Sequence, residues 1–434
     1  MTRRRWLIGT IFAAAILAAS HAPAWGAKDV GGGKGNEEIY KELELFEHAL
    51  SLVRSDYVEE PQAKQLIYGA LKGMLSTLDP YSQFLDPDSY NELKVDTEGE
   101  FGGLGIELTV KDELLTIITP IDDTPAFRAG LRPGDRIVKI DGQITRGLTI
   151  VEAVKKLRGK PNTKVALTIL REGENELKEV TLERAVIKIR SVREADILED
   201  HIGYIRLSDF RERTTQDLEA AIKKLKGEQM DGLILDLRNN PGGLLDVAIS
   251  ASELFLQRHQ LIVSTKGRIK NQNQEFRSKV DGPASGLPLV VLINEGSASA
   301  SEILAGAIQD HRRGVILGTK SHGKASVQTI FPLKDGSALR LTTSKYFTPN
   351  GRSIHGQGIL PDVLVPFERQ PEGGSKEKSK QQQVEELIEQ LESGSKPSDE
   401  AGNGSKKKLD NQVARAMDLL KGIKVYESRE KAVN

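Results

Sequence analysis

Three short segments hold the residue types that acyl transfer uses: a hydroxyl, an amine and glycine-rich backbone. The first is Gly296-Ser297-Ala298-Ser299-Ala300-Ser301-Glu302, which follows the apolar run Leu289–Ile293 and opens a helical pattern. A serine at a strand-to-helix junction sits beside the free N–H groups of the first helical turn, which suit an oxyanion. Its small neighbours let a substrate backbone approach closely. The competing reading is structural, because serine three residues before glutamate is also a capping box. The second segment is Ser321-His322-Gly323-Lys324-Ala325-Ser326-Val327-Gln328. A lysine serves as general base only when burial lowers its pKa from about 10.4. Lys324 lies between Gly and Ala ahead of a strand-like run, and Gln328 four residues on could fix its amine. An exposed loop lysine is the competing reading. The third is Asp236-Leu237-Arg238-Asn239-Asn240-Pro241-Gly242-Gly243, whose glycines can place N–H groups in a concave site. A plain Asn-Pro-Gly turn with a structural Asp–Arg pair competes with it. Each segment follows a buried-looking strand, so all three can meet at one sheet edge, where α/β proteins place their sites.

Other chemistries fit less well. The run from Gly318 to Lys324 matches the first seven positions of a P-loop, but Ala325 lacks the hydroxyl that Mg²⁺ needs and a strand pattern follows. His322 and His355 are alternative bases for a serine. No metal-binding spacing such as HExxH occurs, and no cofactor is called for. The chain has no cysteine, which removes disulfides and thiolate chemistry. With 61 basic and 62 acidic residues and no basic stripe with interleaved aromatics, nucleic acid is not an expected partner.

The elements that must position these segments form an α/β multidomain chain. Residues 1–24 read as a signal peptide: Arg3, Arg4 and Arg5 precede an apolar run and a small-x-small pattern at Ala22-Pro23-Ala24. That implies an exported, periplasmic or otherwise extracytoplasmic protein, held at a membrane only if the signal stays uncleaved. Residues 36–95 show helical periodicity, with Ile39, Leu43, Phe46, Leu50, Val53 and Tyr57 on one stripe, broken at Asp79-Pro80-Tyr81. They are expected to form a cap or a dimerisation element. Residues 96–185 have the texture of a small β-rich domain with a turn at Lys111-Asp112-Glu113 and a helix over 149–157. Strands and helices alternate over 186–368, an α/β core with helices covering a sheet and a closing hairpin at Asp335-Gly336. Residues 369–410 are a low-complexity linker expected to be disordered, and 411–434 hold a C-terminal amphipathic helix.

Taken together, the chain from about residue 36 to 368 resembles the carboxyl-terminal processing peptidases, or tail-specific proteases. The resemblance makes Ser299 the nucleophile, Lys324, 25 residues later, the general base, and Gln328 its support. It places the oxyanion hole at the N–H groups of Gly243 and Ala300. Gly102-Gly103-Leu104-Gly105-Ile106, with Ala129-Gly130-Leu131-Arg132-Pro133-Gly134-Asp135, looks like the carboxylate-binding loop and following turn of a PDZ domain. His322 stands where phenylalanine is usual and Ala325 where glycine is usual.

The resemblance implies a serine endopeptidase that captures polypeptides with exposed C-termini and cuts them through an acyl-enzyme. An adaptor protein and a second copy of the chain stay open as further partners. The reading from another class is a non-catalytic PDZ scaffold, which loss of Ser299, Lys324 or Gln328 would have favoured; all three are present.

Overall fold

Five consecutive apolar residues leave no polar face, so such a strand must be covered on both sides. Leu289–Ile293 is such a run, and both it and Gly232–Asp236 are buried along their whole length. In the computed structural model, which describes residues 34–111, 113–171, 174, 176–368 and 409–433, they lie at the centre of a six-stranded sheet. Its order is Val192–Ile197, Ile202–Leu207, Gly232–Asp236, Leu289–Ile293, Val315–Gly318, Val363–Leu364; the first pair is antiparallel and the rest are parallel. Alternate side chains face opposite layers. Leu233, Leu235, Val291 and Ile293 pack with the helices Thr214–Gly227, Leu245–Glu253 and Ala300–Asp310. Ile234, Val290 and Leu292 face Val413, Ala416, Met417 and Leu420 of the helix Asn411–Val433. The C-terminal helix thus forms the second covering layer, and Arg238 pins it by bonding both Asp236 and Asp410.

A second sheet is antiparallel. Ala338–Phe347 pairs with Ser326–Pro332 across the Asp335-Gly336 turn, with Leu261–Gly267, and with Gln83–Leu85. Leu261–Gly267 in turn pairs with Gln274–Arg277.

The β-rich domain has its own core of Leu115, Ile117, Ile137, Leu167 and Ile169. Its strands Ile106–Lys111, Leu114–Pro120, Arg136–Ile140, Lys164–Leu170 and Leu177–Glu183 are ordered along one antiparallel sheet. The helix Ile150–Leu157, capped by Thr149, covers it.

The chain divides into two compact units, residues 1–71 and 72–434, and all the packing above lies in the second. Described residues of the first unit form the helix Lys34–Asp56 and the start of Ala63–Ser76. On it Ile39, Leu43, Phe46, Val53 and Tyr57 are exposed. The expected leader, the linker over 369–408 and Asp112 of the expected turn lie outside the described residues.

Candidate functional site

The parallel register of Gly232–Asp236, Leu289–Ile293 and Val315–Gly318 brings their C-terminal ends side by side. The three loops that follow therefore converge. They line a cleft of about 660 Å³ shared by Ser299, Ala300, Gly243, Lys324 and Gln328.

The three serines of the run have different fates. Ser297 is fully buried and donates to the Leu237 carbonyl at 2.8 Å; Ser301 is fully buried and donates to the Asn240 carbonyl at 2.9 Å. Both hold the loop to the Gly-rich segment. Ser299 faces the cleft, and its hydroxyl accepts no capping hydrogen bond from the described backbone. Its backbone is strained, with φ +54° and ψ −111°, a conformation that non-glycine residues seldom adopt outside functional sites.

Glu302 supplies what the capping reading foresaw and more. Its buried carboxylate accepts from the Ser299 N–H at 2.8 Å, the Lys324 N–H at 2.9 Å, the Gly323 N–H at 2.6 Å and the Ser321 hydroxyl at 2.5 Å. One side chain therefore locks the serine loop to the lysine loop. Tyr346 makes the same link from the other side, its hydroxyl lying against the Ser299 and Lys324 carbonyls. Burial, reinforced by the charge of Glu302, pushes the Tyr346 pKa well above its ordinary value, so it remains a donor. Neither residue was singled out by sequence as part of the site, because each reaches across the fold to partners 19 to 47 positions away.

The Gly-rich loop is placed as closely. Asn240 bonds the Leu207 carbonyl and the Gly242 N–H, and its own carbonyl takes the Ala298 N–H at 3.0 Å. A Cβ on Gly242 would come 2.7 Å from the Ala300 nitrogen, and one on Gly243 would come 2.0 Å from the Phe210 oxygen. The parallel bridge between Phe210 and Gly243 uses the Gly242 carbonyl and the Leu244 N–H. Among the described residues the Gly243 N–H is left without a backbone acceptor, and the same holds for the Ala300 N–H at the start of its helix.

Burial, seconded by the charge of Arg340, pulls the Lys324 pKa below the ordinary amine range. Its Nζ lies over the Tyr81 ring, 4.6 Å from the centroid. The expected hydrogen bond from Gln328 to this amine is not made. The Gln328 amide donates instead to the Ser326 hydroxyl at 2.9 Å and to Thr342, its cross-strand neighbour, at 3.4 Å. His322 and His355 are exposed and line no part of the cleft. Among the described residues no group of His, Asp and Glu is arranged to hold a metal ion.

In the β-rich domain, Glu100–Gly103 pairs with Ala185–Lys188. The loop then turns at Gly105, where φ is +76° and a Cβ would meet Thr124 at 2.4 Å. The Leu104 and Gly105 carbonyls accept from Ala126 and Ile121, while among the described residues the N–H groups of Leu104 and Gly105 find no backbone acceptor. Leu104 is buried in the domain core and Ile106 is half-buried beside it.

Peptidase family S41 matches residues 201–365, the PDZ domain matches 102–182, and the N-terminal domain of the activating protease CtpB matches 9–89. A carboxy-terminal-processing protease of Bartonella bacilliformis is 48% identical over 333 residues, 76% of each chain. The carboxyl-terminal-processing protease of a Synechocystis species is 41% identical over 72% of this chain and 74% of its own. Among solved structures, a photosystem II D1 C-terminal processing protease is 30% identical over 74% of this chain and 86% of its own, with a TM-score of 0.43. On the identity and coverage of those relatives, this chain belongs to the carboxy-terminal-processing serine proteases, with a PDZ domain joined to an S41 peptidase core.

Proposed function

We propose that this protease is exported and cleaves polypeptides presented by their C-termini, with Ser299 as nucleophile and Lys324 as general base. The carrying observation is the sorting of the three serines: Ser297 and Ser301 are tied into the core, whereas the Ser299 hydroxyl is free in the cleft that Lys324 also lines. In this reading the neutral Lys324 amine takes the Ser299 proton as Oγ attacks the scissile carbonyl. The N–H groups of Gly243 and Ala300 hold the resulting oxyanion. Collapse expels the amine product, which takes the proton from Lys324, and water then releases the acyl group by the same steps in reverse. Gln328 lines the same cleft and supports the amine once it turns toward Ser299. The free N–H groups of Leu104 and Gly105, with Gly102, Gly103 and Ile106 shaping the loop, hold the substrate's terminal carboxylate while its chain adds along Ile106–Lys111. Residues 36–95, 96–185 and 186–368 then serve as helical, PDZ and peptidase regions. The leader pattern in residues 1–24 supports export.

Ser299→Ala and Lys324→Ala should each reduce cleavage of an unfolded protein by roughly 10³-fold or more, whereas His322→Ala should stay active. A fluorophosphonate probe followed by peptide mapping should label Ser299. Labelling of Ser297 or Ser301 instead, or full activity in Lys324→Ala, overturns the assignment.

A further inference from the structure

We propose that Tyr81 is a positioning residue for the base: its ring holds the protonated Lys324 amine off Ser299, and the turn that carries it restrains Lys324 and Gln328 together. The inference rests on the reading of Lys324 as general base.

The turn 79–82 is built as a rigid mount. The Asp79 carboxylate accepts from the Tyr81 N–H at 2.8 Å, the Ser82 N–H at 2.9 Å and the Ser82 hydroxyl at 2.7 Å. Thr342 fastens it to the long strand Ala338–Phe347, donating through its hydroxyl to Asp79 at 3.1 Å and through its N–H to the Ser82 hydroxyl at 3.1 Å. Arg340 donates to the Tyr81 carbonyl and to the Gln83 side chain. The strand Gln83–Leu85 then pairs with residues 338–340 of the same strand. An aromatic ring mounted in this way keeps its face where the Lys324 amine reaches it. Thr342 is also the group to which the Gln328 amide reaches. One turn therefore engages, directly or through Thr342, both the lysine read as base and the glutamine read as its support.

A ring face attracts an ammonium and has little attraction for a neutral amine. Tyr81 therefore favours the form of Lys324 that cannot act as base and releases the form that can. The other charges near the amine are fixed in number. Arg340 and the neutral Tyr346 come from the paired strand, Asp79 from the mount, and Glu302 from the nucleophile helix, bonded to the Lys324 backbone. From the helix Pro87–Glu98, Lys94, Asp96 and Glu98 line the cleft, as do Asp209, Arg211 and Glu212 from the loop after Ile202–Leu207. Exchanging Tyr81 for an uncharged residue of similar bulk alters none of them, so a change in titration reports the ring.

The test is the pH–rate profile of peptide cleavage, with fluorophosphonate labelling of Ser299 as a second readout, for the full chain and for Tyr81→Leu, Tyr81→Phe and Tyr81→Trp. Leu keeps the amine covered but removes the π face. The midpoint of the rise in rate should move down by about 0.4–1.5 pH units, the range that a cation–π contact supports. Labelling below the midpoint should speed up by about 2.5- to 30-fold for the same reason. Phe should leave the midpoint near that of the parent, and Trp should move it up. An unmoved midpoint in Tyr81→Leu, or equal shifts in Leu and Phe, overturns the proposal. If Tyr81→Leu does not fold, the Trp variant decides: a midpoint that stays put or falls overturns it equally. Lys324→Met is the control on the parent reading. A pH-dependent activity that survives in it refutes Lys324 as base, a result distinct from any behaviour of the Tyr81 variants.

Discussion

The cleft proposed for catalysis and the PDZ loop proposed for carboxylate binding both present, among the described residues, backbone N–H groups without a backbone acceptor beside glycines, yet they are secured in opposite ways. The cleft joins Gly243, Ser299 and Lys324 from three distant loops, and buried side chains do the joining: Glu302 and Tyr346 tie the serine loop to the lysine loop, and Ser297 and Ser301 tie it to the Gly-rich loop. The PDZ loop is a single segment, fixed by backbone bonds from Ile121, Ala126 and Gly159. A site assembled from remote loops depends on a few polar side chains whose loss leaves buried groups unpaired. A site folded from one loop depends on backbone geometry and tolerates side-chain change. The two regions should therefore fail under different substitutions.

The largest effect expected from this contrast is at Glu302. Alanine there strands the buried N–H groups of Ser299, Gly323 and Lys324, each costing about 1–3 kcal/mol when unsatisfied. Glu302→Ala should lower stability by about 3 kcal/mol or more and cut kcat by roughly 10²-fold, since small misplacements of reacting groups cost that much. Glu302→Gln, which keeps one acceptor oxygen, should fall between. Peptide affinity at the PDZ domain, measured by calorimetry, should stay at the parental value. A parallel loss of affinity would show that the two sites share one support.

How far the sequence foretold these sites follows from the same contrast. The parallel strands were legible because Leu289–Ile293 and the run ending at Asp236 are continuously apolar, the mark of burial on both faces. The loops after them were not legible as a site one by one, since each also had a structural reading as a helix cap, an exposed lysine or a plain turn; only the family resemblance joined them. Leu261–Gly267 was not read as a strand: Ser264, Thr265 and Lys266 blur its pattern, and its burial comes from pairing with Ala338–Phe347 some eighty residues on. Glu302 was seen only as half of a capping box, which it does close at Ser299; its bonds to residues 321–324 depend on the tertiary fold. The turn at Asp79-Pro80-Tyr81 was read as a break in a helical pattern. Its attachment to a strand more than 250 residues away is invisible to any local rule.

A smaller effect is expected at the PDZ loop. Amidating the C-terminus of a peptide removes its charge and one acceptor, at a cost of about 1.5–3 kcal/mol for a charge-assisted bond. Against a Ser299→Ala variant, which binds without cutting, the amidated peptide should bind roughly 10- to 150-fold more weakly than the free acid. Equal affinities would remove the carboxylate from the recognition scheme and leave strand addition alone to account for binding.

The smallest functional effect should come from Asp135, which supports the PDZ fold away from the loop. Its carboxylate is 1% exposed and holds Arg171 through two bonds of 2.8 Å, and it accepts the Arg132 N–H at 2.8 Å. Burial opposes its ionisation, but Arg171 and the Arg132 N–H outweigh that, and the pKa lies below the usual aspartate value. A carboxyl with a depressed folded-state pKa stabilises the fold above its unfolded value, about 3.9, and that contribution is lost as pH falls through the folded value. Asp135→Asn keeps the size and one acceptor while removing the charge. It should lower stability at pH 7 by about 1–3 kcal/mol, the range for a lost charged hydrogen bond. The gap from the parent should begin to narrow as pH falls below about 4, where the unfolded carboxyl takes a proton, and should close only below the depressed folded-state value. Peptide affinity at pH 7 should change less than threefold or so, because no bond to the 102–106 loop is touched. Thermal melts of both proteins across pH 3 to 7 give the first two results. A gap that widens on acidification, or a tenfold loss of affinity, would mean that Asp135 acts on the loop after all, and that the PDZ site, like the catalytic cleft, depends on a buried side chain.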